Sequence, residues 1–177
     1  WPSSVQDMRR LAHLYEEEGA AAAAEPESAY RWSQLAPADA ALTDRLQQCL
    51  VATLGADGVA IGRGVNVTAD SFYGSQGRID ARFLDSNETL IDETRAHYSK
   101  TTGQADAIHS MEMEAFQLLH LAKCADKAAP IIAAAAAIVV ADRATSHVID
   151  EATLKSLELK GGGAVLDAIT SIEVPGL

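Results

Sequence analysis

The chain has 177 residues, the size of one domain; 48% are apolar and only 5% aromatic. Alanine alone supplies about a fifth of it, so any core is built from small and branched aliphatic side chains. A net charge of −11 and a pI near 4.7 argue against nucleic acid and anionic membrane surfaces, which need a basic face, though a few local arginines could still hold an anionic small substrate.

Ser4 with Asp7 three residues on resembles a capping box, which predicts a first helix from Ser4 to Glu18. The alanine run of residues 20–24 is interrupted at Glu25-Pro26 and reads as a connection. Pro37 suits the first turn of a second helix, with Leu42, Leu46, Cys49, Leu50 and Leu54 as its apolar stripe and Gly55 as its stop. Residues 58–68 alternate and are rich in β-branched types, so they read as a strand. The loop FYGSQGR, residues 72–78, follows at once. A helix is expected from Ser86 to about Lys100, then a short strand over 106–111. MEAFQLLHLAKCA then reads as a helix with Phe116, Leu119 and Leu121 near its inner side. PIIAAAAAIVVADR reads as a fully buried strand. Another helix carries Leu154 and Leu157, and Gly161-Gly162-Gly163 separates it from a last short helix near 164–172.

Strands alternating with helices predict an α/β sandwich with a parallel or mixed sheet. In such sheets ligands bind beyond the carboxyl ends of strands. Segments 69–78, 111–114 and 142–143 each follow a predicted strand and are expected to share one rim. Cys49 and Cys124 carry no CxxC, so no disulfide framework or zinc cluster is implied; both read as small buried hydrophobes. His120 and Cys124 have metal-compatible i, i+4 spacing but no evident third ligand, so no metal is expected. Gly62-Arg63-Gly64 lacks the following helix that a phosphate loop needs. The longest apolar run, residues 128–141, has about 14 residues against the roughly 18 of a spanning helix, and no signal-peptide pattern is visible. No membrane insertion is expected. A chain opening on Trp1 reads as a processed form or a fragment, and the compartment stays open between cytoplasm and an organelle such as the mitochondrion.

Three motifs in order carry a resemblance. They are Asp70-Ser71-Phe72-Tyr73-x-x-Gln76-x-Arg78, Glu112-Met113-Glu114-Ala115, and Val139-Val140-Ala141-Asp142-Arg143. Together, from about Ser28 to the C-terminus, they resemble nucleoside phosphorylases of the uridine phosphorylase branch. The resemblance implies a three-layer αβα sandwich with a mixed sheet, incomplete in this chain. It divides the sequence into residues 1–28, a helix and alanine-rich connection without family motifs, and residues 29–177, the C-terminal part of the domain. It implies reversible phosphorolysis of uridine to uracil and ribose 1-phosphate, with phosphate as co-substrate and no other cofactor. Gln76 would meet the uracil amide edge, Arg78 a uracil carbonyl oxygen, and Phe72 the base ring. Glu114 would accept from ribose hydroxyls, Met113 would pack on the sugar, and Glu112 would hold the motif or reach the ribose from the side. Arg78 and Glu114 are the implied catalytic pair, and Asp142 and Arg143 complete the substrate-binding set.

Some positions depart from the family. Asp142 stands where the uridine branch commonly has Asn, and the purine branch uses an Asp in this region to protonate the base, so purine nucleosides are a rival substrate class. Gly74-Ser75 replaces the usual Pro-Gly. The family's glycine-rich phosphate loop, its phosphate-binding arginines and the residues lent to a neighbouring subunit are not recognisable in residues 1–30. Two readings follow. Either this chain supplies the base and ribose pocket of an enzyme whose phosphate half lies elsewhere, or it is a degenerate relative serving as a scaffold subunit in a larger assembly. Family members pair protomers, so a homo- or hetero-oligomer is expected.

Overall fold

The computed structural model describes residues 30–78, 82, 89–105, 107–126, 128–143, 145 and 147–173, together with the backbone of 4–7. These residues group into two compact units. The first takes in residues 1–36 and 64–117, the second 37–63 and 118–177.

The first unit is a four-stranded mixed sheet in the order β2-β1-β3-β4. Its strands are β1 (Ser4–Asp7), β2 (Tyr30–Arg31), β3 (Val65–Ala69) and β4 (Ile108–Glu112). β1 runs antiparallel to β2 and parallel to β3, and β3 runs parallel to β4. The helix predicted from Ser4 is therefore a strand where it begins. β1 gains ladder hydrogen bonds from two neighbours, and this tertiary pairing overrides the capping signal. The rest of that predicted helix lies outside the described residues. β3 is shorter than the sequence suggests. A 3₁₀ turn at Gly55–Asp57 and a left-handed Gly58 precede it, and residues 59–64 take no regular form.

The core of this unit forms where α2 (Leu90–Thr102) meets the sheet. Tyr30, Val67, Leu90, Tyr98 and Ala107 are buried together, with Trp32, Val65, Ile108 and Met111 packed around them. Polar atoms in this core find partners. The Trp32 indole N–H donates to Thr94 Oγ1 at 2.8 Å, and that hydroxyl donates to the Leu90 carbonyl at 2.6 Å. At the entry to β3, Gly64 is required by a close approach: a Cβ there would lie 1.6 Å from His109 Nδ1.

The second unit is built on α1 (Ala40–Leu54) and α4 (Glu151–Thr170). Asp39 rather than Pro37 sets the start of α1, its carboxylate accepting the Leu42 N–H at 2.8 Å. Leu46 and Cys49 of α1 pack on Ala164 and Ala168 of α4. Small residues on α4 let the helices approach closely, which is how an alanine-rich chain makes a core here. Lys160 to Asp57 at 2.5 Å and Arg45 Nε to Ser171 Oγ at 2.6 Å tie the rim of this pair.

Three expectations fail in this unit. Gly161-Gly162-Gly163 does not separate two helices; α4 runs through it, because packing of Ala164 and Ala168 outweighs the glycine propensity cost. Residues 131–140 do not form a buried strand. Ile131, Ile138, Val139 and Val140 are exposed, and just beyond the stretch Ala141 makes an isolated antiparallel bridge to Val148. A strand exists only by pairing, and this segment meets no ladder partner among the described residues. On α3 (Ala115–Lys123), Phe116, still in the first unit, is buried as expected, but Leu121 in the second is 67% exposed, and Cys124 just beyond is exposed rather than buried.

The glycine triplet gives a direct test. A Cβ at Gly161, Gly162 or Gly163 would meet nothing within 4 Å, so no packing reason requires glycine. Gly162→Ala should stabilise the chain by about 0.5–1 kcal/mol, read as a rise in the urea midpoint. A fall would mean that the helix does not continue through the triplet.

Candidate functional site

The site is organised by polar residues that alternate along two adjacent strands. In β3, Asn66 and Thr68 point to the same face, and in β4 so do Ser110 and Glu112. The parallel register sets Asn66 opposite Ser110 and Thr68 opposite Glu112. The Glu112 carboxylate gathers four donors. Asn66 Nδ2 reaches Oε1 at 2.7 Å and Thr68 Oγ1 reaches it at 2.5 Å. The backbone N–H groups of Glu114 and Ala115 both reach Oε2 at 2.6 Å. Ser110 Oγ donates to Asn66 Oδ1 at 2.7 Å, and the Phe116 N–H donates to Thr68 Oγ1 at 2.9 Å.

This arrangement caps α3 from the sheet. The first N–H groups of a helix have no partner within it, and here Glu112 and Thr68 accept three of them in succession. A negative carboxylate at that end is also favoured by the helix dipole. Burial alone would raise the Glu112 pKa. The hydrogen bonds from Thr68, from the Ala115 and Glu114 N–H groups and from Asn66 together outweigh it, and the carboxyl sits below its ordinary value.

Two loops emerge at the carboxyl ends of these paired strands. Beyond β4, Met113 is half-buried and Glu114 exposed, with the Met113 N–H donating to Glu114 Oε2 at 3.2 Å. Beyond β3, the chain passes Asp70 into a 3₁₀ turn at Gly74–Gln76 and leaves through Gly77 at φ 63°, a left-handed conformation suited to glycine. Gln76 is buried at 4% exposure, while Phe72 and Tyr73 are exposed and meet edge to face with centroids 5.2 Å apart. The Arg78 guanidinium lies 3.8 Å above the Phe72 ring centroid. Such a stack is worth roughly 0.5–1 kcal/mol at an exposed site and holds the cation near the loop.

The structure thus brings together the segments of Phe72, Gln76 and Arg78 and of Glu112, Met113 and Glu114 at neighbouring strand ends. Asp142 and Arg143 belong to the second unit. They are exposed, and the Asp142 N–H donates to the His147 carbonyl at 2.9 Å. They do not follow a regular strand as expected, because residues 131–140 are not one. His120 and Cys124 do approach, with Nε2 and Sγ 3.6 Å apart. Sequence reasoning missed Asn66, Thr68 and Ser110, although polar residues two apart in both VNVTA and IHSME were a visible signal.

These features define a member of a known class. The family model described as "Phosphorylase superfamily" matches residues 4–169, and the chain belongs to that family. A search of curated proteins gives no match. Among solved structures, the chain is similar to one from a study of two diverse uridine phosphorylases in the oomycete Phytophthora capsici. The two are 29% identical with a TM-score of 0.76, over 98% of this chain and 61% of that one. This chain therefore spans about three fifths of its neighbour's length. The fold is that of a phosphorylase, present as an incomplete α/β sandwich.

The Glu112 network makes stability depend on pH with a definite sign. A carboxyl titrating lower when folded stabilises the fold fully above its ordinary value of 4.5, and that contribution is lost as pH falls through the folded value. Glu112→Gln should cost about 1–2 kcal/mol at pH 7, a modest figure because the carboxylate is only partly shielded from solvent. The gap to wild type in urea unfolding should close as pH is taken below 4.5. A gap constant from pH 7 to pH 3 would contradict the network.

Proposed function

We propose that this chain supplies the base and ribose pocket for reversible phosphorolysis of uridine to uracil and ribose 1-phosphate. What supports the reading is that the Gln76–Arg78 loop and Met113-Glu114 each follow one of two adjacent parallel strands. The solved neighbour comes from a study of uridine phosphorylases, which supports the same substrate class.

The residue types suit this chemistry. As the glycosidic bond breaks, positive charge develops on the ribose and negative charge on the departing uracil. Fixed donors around the leaving base lower that barrier. Gln76 carries both a donor and an acceptor on one planar amide, matching the uracil edge, which also presents both. Arg78 offers a permanent cation to a uracil carbonyl oxygen. Phe72 presents an aromatic face to the base. Glu114, exposed at the end of β4, would accept from ribose hydroxyls and place negative charge near the cationic sugar, with Met113 packing on the ring. Glu112 acts one step back, since each of its oxygens already accepts two hydrogen bonds within the protein. Phosphate is the co-substrate, and the groups that hold it are assigned to polypeptide outside the motifs found here, on this or another protomer.

The test is loss of uridine absorbance with phosphate present and absent. Wild-type protein in its native assembly should turn over uridine only with phosphate. Arg78→Ala and Glu114→Ala should each lower kcat/KM by about 10²–10³-fold, the scale for removing one preorganised charge contact. Absence of turnover, or full turnover in either variant, would overturn the proposal.

A further inference from the structure

The loop that carries Gln76 and Arg78 is fastened by a side chain outside the proposed contact set. Ser75 is completely buried. Its hydroxyl has one proton and two acceptor sites, and all three are used. The proton goes to Asp70 Oδ1 at 2.5 Å. The Ser71 N–H donates to Ser75 Oγ at 2.8 Å, and the Ser71 hydroxyl lies 2.9 Å away as second donor. In return, the Ser75 N–H donates to Ser71 Oγ at 3.0 Å. The middle of the turn is thereby tied to the residue at which the chain leaves β3. Two backbone bonds close the turn behind it: the Gly77 N–H donates to the Gly74 carbonyl at 3.2 Å, and the Arg78 N–H to the Tyr73 carbonyl at 3.1 Å.

We propose that Ser75, with Asp70, is a positioning device that holds Gln76 and Arg78 as a fixed pair and so sets affinity for the nucleobase. Gln76 directly follows Ser75, and Arg78 lies one left-handed glycine further on, so a small rotation at residue 75 displaces both. A loop that must be ordered during binding charges that ordering against affinity for the groups it contacts. Contacts to phosphate, made elsewhere, are untouched. What the loop is held toward rests on the uridine reading; how it is held does not.

The variants are Ser75→Ala, Asp70→Ala, the Ser75→Ala/Asp70→Ala double, and Asp70→Asn, which keeps an acceptor at the same place. Two readouts apply to the full chain. In amide hydrogen exchange, Gly77 and Arg78 should exchange at least 10-fold faster in Ser75→Ala and Asp70→Ala, while amides of β3 and β4 keep wild-type rates. The double variant should be no worse than either single, and Asp70→Asn should lie close to wild type. In steady-state kinetics, Ser75→Ala should lower kcat/KM for uridine about 10-fold, with KM for phosphate within 2-fold of wild type. Unchanged exchange at residues 77 and 78, additive single effects, or equal rises in both KM values would overturn the proposal. If wild-type protein proves inactive, the uridine reading fails and the exchange data alone decide whether Ser75 fastens the loop.

Discussion

The first unit depends on one carboxylate. Glu112 ends β4, and the donors around it come from three places: side chains of β3, the loop after β4, and the first turn of α3. A carboxylate even partly withdrawn from water is costly unless such donors compensate it. The same bonds that compensate Glu112 fix where β3 and β4 end relative to each other. They also fix the direction in which Met113 and Glu114 leave the sheet. The exits of both strands are therefore set by a polar ladder rather than by apolar packing, and the apolar cluster around Val67 and Tyr98 secures the sheet against α2.

This division of labour suits a chemical site. Apolar packing tolerates rearrangement as long as volume is conserved. A saturated polar network has far fewer alternatives, since each displaced donor leaves an unsatisfied group. The loop after β3 repeats the principle on a smaller scale, with Ser71 and Ser75 exchanging backbone and side-chain bonds over Asp70. Groups that must meet a substrate within a fraction of an ångström are best carried by such frames.

Much of this was legible in the sequence, and the failures have physical causes. FYGSQGR and EMEA stood out because each interrupts a β-branched or alternating run with residues a core does not ask for, and both do lie at strand ends. The ladder beneath them was not legible. Asn66 and Thr68 are only alternate positions of a strand until the register sets them opposite Ser110 and Glu112, and register is a property of two strands together. The Ser4–Asp7 strand was hidden by a capping signal, because pairing partners far along the chain, at Tyr30–Arg31 and Thr68–Ala69, decide its state. The converse holds for residues 131–140, whose apolar composition asks for a buried strand while composition alone supplies no neighbour to pair with. Gly161-Gly162-Gly163 shows propensity losing to packing, since α4 is held on α1 by Ala164 and Ala168 just beyond the triplet.

We propose that the loops after β3 and β4 form one nucleoside-binding surface. Titrating uridine into isotopically labelled protein and following amide shifts tests it without requiring turnover. On that proposal, amides of residues 72–78 and 113–115 should move together, with one shared dissociation constant. Shifts confined to one loop, shifts in neither, or separate saturation of the two would contradict it.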